Sequence, residues 1–435
     1  MAALSSECRP ALSPEALSHL AEQGWQRPRV IKKAFPAAFL TEQDTFDAWR
    51  TFVAGVPPVR WGNLARLYRG SELIANVEPF LPTASDTSWD LYLRRLSDQT
   101  GSPDWGLCLT DPQLSSAKIF RRLLTFLDSL YQNIGIPRGG CSPDLFMMNH
   151  KVSFFRLHKD VQDVFTFIIS GWRRFLLWPF DTFSTVAGME AHQSREPHLL
   201  VEVDHEAYRS QATVLEGTAG DLLYWPAEWW HVGESNGERA ITLAVGTIHE
   251  ANPMQKILAA ADRLGKRRRD RWENLRWSAS EGAEPTITAY IDWMQSLLID
   301  EDLWAETRRG LLSWTTRCGL KRVPPPLRQS APLDDAQWFV VTSPSTIAFD
   351  EDGDEASLFC SIAGHDLTLT PGAPAKAALA ILSRGGIHRA GAVIDEALEA
   401  SGSTWSREQF RRLLEKIGDN YGFELLNSTS NTDTL

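Results

Sequence analysis

The chain has 435 residues, 43% of them hydrophobic and 23% charged, with a formal net charge of −11. This length predicts two or three domains, and the negative charge argues against general binding to nucleic acids or anionic membranes. No apolar run reaches the roughly 18 residues of a membrane span, and no signal peptide is expected. Five scattered cysteines without C-x-x-C spacing favour a reducing, cytoplasmic compartment and no structural zinc.

Helices joined by loops are predicted before residue 140. The segment TEQDTFDAWRTFVAG begins with Thr41, whose side chain can cap a helix. The segment SAKIFRRLLTFLDSLYQNIG has apolar residues at helical spacing and ends at a glycine. Both patterns are typical of helices in globular domains.

The rhythm of the sequence changes between Leu145 and Ile248. Short runs rich in Phe, Val, Ile, Leu, Thr and Trp alternate with Gly, Pro and Asp, as in VFTFIISGWRRFLLWPF and ATVLEGTAGDLLYWP. Closely spaced short strands with such punctuation predict a β-sandwich or a β-barrel.

The last part of the chain is predicted to be helical again from Pro253 to about Leu320, followed by the linker VPPPLRQSAP. The tail contains a hairpin candidate, STIAFDEDGDEASLFCSIAG, and two helices, AKAALAILSRG and SREQFRRLLEKIGDNYG. Residues 331–435 carry 16 acidic and 7 basic side chains. This charge makes direct binding of DNA by the tail unexpected.

A candidate metal site combines two separate pieces of sequence. His158 and Asp160 lie two residues apart in HKD, so they share one face of a strand. His231 follows the strand-like run Asp221–Trp225 in GDLLYWPAEWWH. Two histidines and one carboxylate can hold Fe(II) by one face. Taken alone, each piece is weak, because an H-x-D can occur by chance and His231 can be a packed loop histidine.

A pair of arginines lies beside the predicted strand. Arg173 and Arg174 both fall on largely apolar faces, so strand alternation does not choose between them. A buried guanidinium needs an anionic partner, because an unpaired buried charge is costly. That partner is either a local carboxylate such as Asp181 or the far carboxylate of a dicarboxylate co-substrate.

These motifs together resemble the JmjC-type ribosomal oxygenases. The family pattern H-x-D-x-x-D-V-F, then G-x-[KR], then G-D-x-L-Y-x-P-x-x-W-x-H is matched in order by HKDVQDVF, GWR and GDLLYWPAEWWH. The family consists of cupin-fold, Fe(II)- and 2-oxoglutarate-dependent protein hydroxylases, whose bacterial members modify an arginine of a ribosomal protein. The resemblance extends to QGWQRPRVIKKAFPAAF, the helical block and the tail.

The resemblance implies roles for six residues. His158, Asp160 and His231 would be the iron ligands, and Arg173, two residues after the glycine of GWR, would bind the 2-oxoglutarate carboxylate. Thr242 lies near a position where the family uses Ser or Thr for the same anion. Asn149 lies where the family often has a polar residue before the H-x-D strand. The co-substrates would be 2-oxoglutarate and O2.

The resemblance also implies an α+β architecture in three parts. Residues 1–250 would form a double-stranded β-helix of the cupin/JmjC type with N-terminal helices. Residues 251–325 would form a helical dimerisation region, and residues 326–435 a winged-helix-like domain. The expected partners are a second copy of the chain and a protein or peptide substrate, for which a ribosomal protein is one candidate.

Three functions are compatible with the sequence. The leading one is hydroxylation of an amino-acid side chain in a protein, as in the ribosomal oxygenases. The compact segment NHKVSFFRLHKD replaces the family's Gly/Pro-rich loop, so the same chemistry on a biosynthetic peptide is an alternative. A non-catalytic cupin-type binding or regulatory protein is the third, and the intact ligand triad with its arginine argues against it.

Overall fold

The computed structural model describes most of the chain, which divides into two compact units. The first unit spans the residues up to His249 together with Leu320–Pro325, and the second spans Glu250–Gly319 and Pro326–Ser428. The described residues are 12–13, 25–35, 38–62, 64–70, 72–151, 155–184, 186, 204–249, 251–252, 254–267, 288, 291–292, 295–296, 298–327, 332–350, 357–370, 372–402 and 405–426.

The two helices expected before residue 140 are present. Thr41 accepts a hydrogen bond from the backbone N–H of Asp44, whose side chain in turn accepts from the N–H of Thr41, which completes a capping box. Ser116 caps the longest of the helices, and Gly135 ends it. A third helix lies between them. The helices of this unit are α1 (Glu42–Gly55), α2 (Trp89–Thr100) and α3 (Ala117–Ile134).

The strands of the first unit form two antiparallel sheets. The eight-stranded sheet has the order β1-β10-β7-β12-β5-β4-β2-β3, and the four-stranded sheet has the order β6-β11-β8-β9. The strands are β1 (Arg29–Ile31), β2 (Ala65–Arg69), β3 (Glu72–Leu73), β4 (Trp105–Thr110), β5 (Gly140–Met148), β6 (His158–Lys159), β7 (Asp163–Ser170), β8 (Trp172–Trp178), β9 (Thr213–Thr218), β10 (Leu222–Trp225), β11 (Trp230–Glu234) and β12 (Ala240–Ile248).

The two sheets enclose a common interior. On the outer face of the eight-stranded sheet, Phe126 of α3 packs against Phe165 and Phe167, with ring centroids 5.9 and 4.8 Å apart. The alternate residues of β7 face inward and join one hydrophobic cluster with Phe175 and Leu177 of the four-stranded sheet. The prediction of a β-sandwich or a β-barrel over residues 145–248 is therefore confirmed.

The second unit begins with two helices whose contact is apolar. Ala260 and Leu264 of the first helix pack against Leu303 of the second, and all three side chains are buried. Most residues between these helices, including much of the predicted TITAYIDWMQSLLID helix, lie outside the described part of the chain. The helices are α4 (Met254–Arg267) and α5 (Glu301–Thr316).

The tail has its own hydrophobic core. The predicted hairpin is present, because Ile347 pairs with Ile362 in antiparallel strands, although its turn lies outside the described residues. The sequence predicted two helices here. The structure adds a third over the alanine-rich segment Ala390–Ser401, which was not predicted. The winged-helix class and the homodimer remain predictions. The elements are β13 (Trp338–Val341), β14 (Ile347–Phe349), β15 (Leu358–Ile362), β16 (His365–Leu369), α6 (Gly372–Leu382), β17 (Gly386–Arg389), α7 (Ala390–Ser401), α8 (Arg407–Asp419) and β18 (Glu424–Leu425).

The helices and the cysteines can be compared with the expectations of no membrane span and no structural zinc. Within the described part of the chain, none of the helices combines the length and apolarity that crossing a membrane requires. The described cysteines, Cys108, Cys141, Cys318 and Cys360, are all buried, and none of them forms a disulfide.

Candidate metal centre and anion site

Three side chains of the predicted triad meet inside the barrel. His158 lies on β6 and His231 on β11, and antiparallel pairing places the two residues directly opposite each other. Asp160 follows β6 immediately. Because His158 and Asp160 are two residues apart, the extended chain directs both toward the same side. One short strand and its neighbour thus deliver all three groups.

The ligand atoms of the triad are close enough to share one ion. One atom from each of His158, Asp160 and His231 lies within 4.8 Å of the other two. Nε2 of His231 is 3.6 Å from Oδ2 of Asp160, and the two imidazole rings have centroids 4.1 Å apart. Such convergence of two imidazoles and a carboxylate is the arrangement of a facial metal site.

Backbone carbonyls orient both imidazoles. Nδ1 of His158 lies 3.0 Å from the carbonyl oxygen of Arg156, and Nδ1 of His231 lies 3.1 Å from that of Trp229. A carbonyl can only accept, so each Nδ1 carries a proton, and in the neutral imidazole of this tautomer Nε2 keeps its lone pair. Burial, reinforced by the nearby His158, lowers the pKa of His231 to about 4. His231 is therefore neutral at neutral pH and able to bind a cation.

The buried side chain of Lys159 links the segment that carries His158 and Asp160 to the segment before His231. Lys159 is 2% exposed, and its Nζ lies 3.1 Å from Oε2 of Glu228 and 4.3 Å from the ring centroid of Phe180. Glu228 adopts a left-handed backbone conformation with φ of 68°, and its N–H donates to the carbonyl of Asp160 at 2.8 Å. The segment before His231 is therefore bonded to the H-x-D segment by one side-chain and one backbone contact.

Replacing Lys159 by methionine is expected to weaken metal binding about tenfold while the barrel still folds. The change leaves Glu228 without its buried partner and loosens the Asp160 carbonyl contact, and such support of metal ligands is typically worth 10- to 100-fold in affinity. Titration of Fe(II) under anaerobic conditions measures the effect. Lys118→Met is the matched control, because it removes a surface lysine bonded to Asp44. Equal metal affinity in both variants would contradict this role.

Arg173 lies inside the barrel without a carboxylate partner. It is 4% exposed, its guanidinium packs 5.1 Å from the ring centroid of Phe175, and Nη1 contacts the sulfur of Met148. Nε is buried without a hydrogen-bond acceptor. Burial lowers the pKa of Arg173 to about 10, so the group is still charged at neutral pH. Within the described residues, no carboxylate reaches ion-pair distance of this cation.

Arg174 has the opposite environment. Its side chain is 34% exposed and forms an ion pair with Glu216 and a longer one with Glu234, at 3.7 Å. Both carboxylates belong to neighbouring strands of the same sheet. The charge of Arg174 is thus paired with two carboxylates, whereas that of Arg173 has no carboxylate at ion-pair distance among the described residues.

Gly233 makes room for Arg173. A Cβ atom at Gly233 would lie 2.5 Å from Nη2 of Arg173, and the glycine faces Phe175 across the strand pair. Gly233→Ala is therefore expected to displace the guanidinium and to raise the KM for an anionic ligand of Arg173 about tenfold. Gly55→Ala, at a site with nothing within 4 Å, is the control. Steady-state kinetics measures the change, and an unaltered KM in Gly233→Ala would show that this glycine does not protect the arginine.

The two remaining predicted residues differ in their surroundings. Thr242 is buried on β12 and pairs with Phe146 and Ile168, so it faces the interior. Asn149 accepts from the N–H of Trp105 and donates to the carbonyl of Pro103, both at 2.6 Å. Both ends of the Asn149 side chain are used to hold the backbone, so these contacts lend no support to a role in ligand binding.

Asp163 is a site residue that the sequence-based assignment omitted. It is buried, accepts from the N–H of Ala227 at 2.7 Å, and lies 3.1 Å from Nε2 of His249. It thereby fixes the turn that leads to His231. The second aspartate of HKDVQD carried the signal, since it repeats three residues after Asp160.

Comparisons with known proteins agree with this architecture. A family model described as a cupin-like domain matches residues 92–252. The solved structure of E. coli YcfD aligns with 95% of this chain and 99% of its own, at 15% identity and a TM-score of 0.51. Two structures of YcfD, a ribosomal oxygenase from Escherichia coli, in complex with cobalt and either succinic acid or 2-oxoglutarate align at 14% and 13% identity. Each covers 96% of this chain and 99% of its own, with TM-scores of 0.48 and 0.47. No curated protein matches this chain.

These matches bear on the fold. The chain contains a cupin-like domain, and 95% of the chain aligns with the YcfD structure at the level of the fold. The resemblance to the ribosomal oxygenases that the sequence motifs predicted is confirmed at this level, and so is a mixed helix-and-sheet architecture around a cupin core.

Proposed function

We propose that this protein is an Fe(II)- and 2-oxoglutarate-dependent oxygenase that hydroxylates an amino-acid side chain in a protein or peptide, as the ribosomal oxygenases do. One observation carries the proposal. The barrel interior holds both a convergent His–Asp–His triad and a buried arginine without a carboxylate partner. A divalent cation and a dicarboxylate are the two ligands that would neutralise these groups together.

The donor set of the triad fits iron. Two imidazoles whose Nδ1 atoms are directed at backbone carbonyls can offer Nε2 to an ion, and with one carboxylate they would hold it from one side. His158, Asp160 and His231 would hold the metal. When bound, Fe(II) with 2-oxoglutarate and O2 supplies an oxidant for an unactivated C–H bond, and 2-oxoglutarate is converted to succinate and CO2.

The surroundings of Arg173 fit the distal carboxylate of 2-oxoglutarate. Its planar guanidinium can bind a carboxylate with two parallel hydrogen bonds, which fixes both position and direction. Thr242, whose side chain faces the same interior, would add one hydroxyl donor to that carboxylate. Gly233 leaves the space that this arrangement needs.

The chain's own residues would then bind, orient and shield. Arg173 sets the depth to which the co-substrate enters, and the carbonyls of Arg156 and Trp229 keep both imidazoles in the metal-binding tautomer. Aromatic side chains, among them Phe175 and Trp225 with ring centroids 4.7 Å apart, line the site. They exclude water and thereby strengthen the electrostatic contacts inside.

Anaerobic binding followed by aerobic turnover tests the proposed function. We expect the purified protein to bind 2-oxoglutarate only when Fe(II) is present, and to release succinate when air is admitted. Mass spectrometry of a ribosomal-protein digest and of short peptides should reveal the gain of a single oxygen atom on one of them. Failure to form succinate with Fe(II), 2-oxoglutarate and O2 all present would refute the oxygenase.

A further inference from the structure

A second set of polar side chains faces the barrel interior from strands β2, β4 and β5. In the strand register Arg66 lies opposite Cys108, which lies opposite Phe146, and Phe146 pairs in turn with Thr242. Asp144 precedes Phe146 by two residues and therefore shares its face. These side chains thus belong to the same interior as Thr242 of the proposed anion site, although Arg66, Cys108, Asp144 and Phe146 take no part in that site.

Asp144 is a partly buried carboxylate on the face of β5 that also carries Phe146. Its Oδ1 accepts a hydrogen bond from the hydroxyl of Thr110 at 2.6 Å. Burial raises the pKa of Asp144 to about 6, and its charge interacts with those of Arg66 and Asp160. Within the described residues, no cation lies at ion-pair distance from it. Asp144 can therefore accept a further hydrogen bond from a ligand that lies near the metal triad.

Among the described residues, Arg66 has no carboxylate at ion-pair distance. Nη2 donates to the sulfur of Cys108 at 3.5 Å, and the guanidinium lies 5.3 Å from the ring centroid of Phe155. The Phe155 ring is in turn 5.8 Å from the ring of His158. The guanidinium is half-buried, and the sulfur of Cys108 is its one hydrogen-bond acceptor among the described residues. Arg66 thus presents unused N–H donors one aromatic ring away from the metal triad.

Arg66 and Asp144 together restrict what can approach the metal. A guanidinium or ammonium group brought here is attracted by Asp144 but repelled by Arg66, and a carboxylate is attracted by Arg66 but repelled by Asp144. A neutral carboxamide avoids both repulsions, because its oxygen accepts from Arg66 while its NH2 donates to Asp144. The rings of Phe146 and Phe155, with centroids 5.7 Å apart, form an apolar wall suited to the methylene carbon beside the amide.

We propose that five residues form the subsite for the side chain that is hydroxylated, namely Arg66, Thr110, Asp144, Phe146 and Phe155. This subsite selects an asparagine or glutamine over an arginine. This inference rests on the proposed oxygenase function.

Peptide libraries with random flanks and a fixed central residue test the subsite. Five libraries carry Asn, Gln, Arg, Lys or Glu at the centre, and the gain of one oxygen is measured by mass spectrometry. We expect the wild-type protein to oxidise the Asn or Gln library at least tenfold more than the Arg, Lys and Glu libraries. Preferential oxidation of the Arg library would overturn the proposal.

Variants at Arg66 make the test specific. Arg66→Met is expected to lose carboxamide oxidation at least tenfold and to improve oxidation of the Arg and Lys libraries, while the KM for 2-oxoglutarate stays the same. Arg69→Met, on the same strand but exposed and paired with Glu72, is the matched control and should behave as wild type. An Arg66→Met variant with the wild-type preference would refute the subsite. Succinate formed without any peptide reports the oxygenase itself, so failure of the subsite and failure of the proposed function are distinguishable.

Discussion

Replacing Arg173 by methionine is expected to raise the KM for 2-oxoglutarate about 100-fold and to leave the fold intact. The guanidinium is the buried cation within reach of the proposed co-substrate, and a desolvated charge pair of this type is typically worth about 2–5 kcal/mol. Methionine has a similar length and fits between Met148 and Phe175, both of which contact Arg173. The dependence of succinate release on 2-oxoglutarate concentration measures the change.

Arg174→Met is the matched control for this substitution. It removes the same charge one residue further along the strand, where Glu216 and Glu234 are the partners. We expect at most a twofold change in KM, since exposed ion pairs contribute little. A raised KM in Arg174→Met together with an unchanged KM in Arg173→Met would assign the anchor to Arg174.

The Arg173→Met variant should also gain stability in the absence of ligands. An unpaired buried guanidinium opposes folding, and an apolar side chain of similar volume does not. We expect the free energy of unfolding of the apoprotein to rise by about 1–3 kcal/mol, measured by urea denaturation without metal or 2-oxoglutarate. A loss of stability would mean that an anion in the fold already balances Arg173.

Replacing His231 by alanine is expected to abolish iron-dependent turnover, with a loss on the order of 1,000-fold or more. The variant removes one of the two imidazoles and opens a cavity beside Asp160, so the remaining two groups cannot hold the ion in place. Anaerobic Fe(II) titration and succinate release measure both consequences in one preparation.

His388→Ala controls for the loss of a histidine elsewhere in the chain. His388 lies on β17 of the second unit, where Nε2 is 3.0 Å from the carbonyl oxygen of Gly385. Wild-type turnover is expected in this variant. Retained iron-dependent turnover in His231→Ala would remove the triad from the mechanism, even if the protein proves to be an oxygenase.

The residues alone predicted part of the triad. His158 and Asp160 are neighbours in an extended segment, and strand alternation brings them to one side. The run GDLLYWPAEWWH predicted a strand and a turn before His231, and the resemblance to the ribosomal oxygenases joined His231 to the other two residues. The barrel followed from the density of short strands between Leu145 and Ile248.

The anion site needed three-dimensional information. Arg173 and Arg174 have equally apolar neighbours in the sequence, and their difference lies on other strands, where Gly233 makes room for the first and Glu216 pairs with the second. Asn149 is a polar residue near the site in the sequence, but both ends of its amide are hydrogen-bonded to backbone groups of Pro103 and Trp105. The placement of Arg66 and Asp144 on one face of the sheet is likewise set by the register of three strands.

The strand that carries His158 is short. Two residue pairs, Trp230 with Lys159 and His231 with His158, join β6 to β11, which is too little pairing to hold a strand in place unaided. In the proposed holoenzyme the ion would link the same two strands through their side chains and act as a crosslink. Iron loading and closure of the barrel would then be a single event, and amide hydrogens of residues 158–160 should exchange more slowly once Fe(II) is bound.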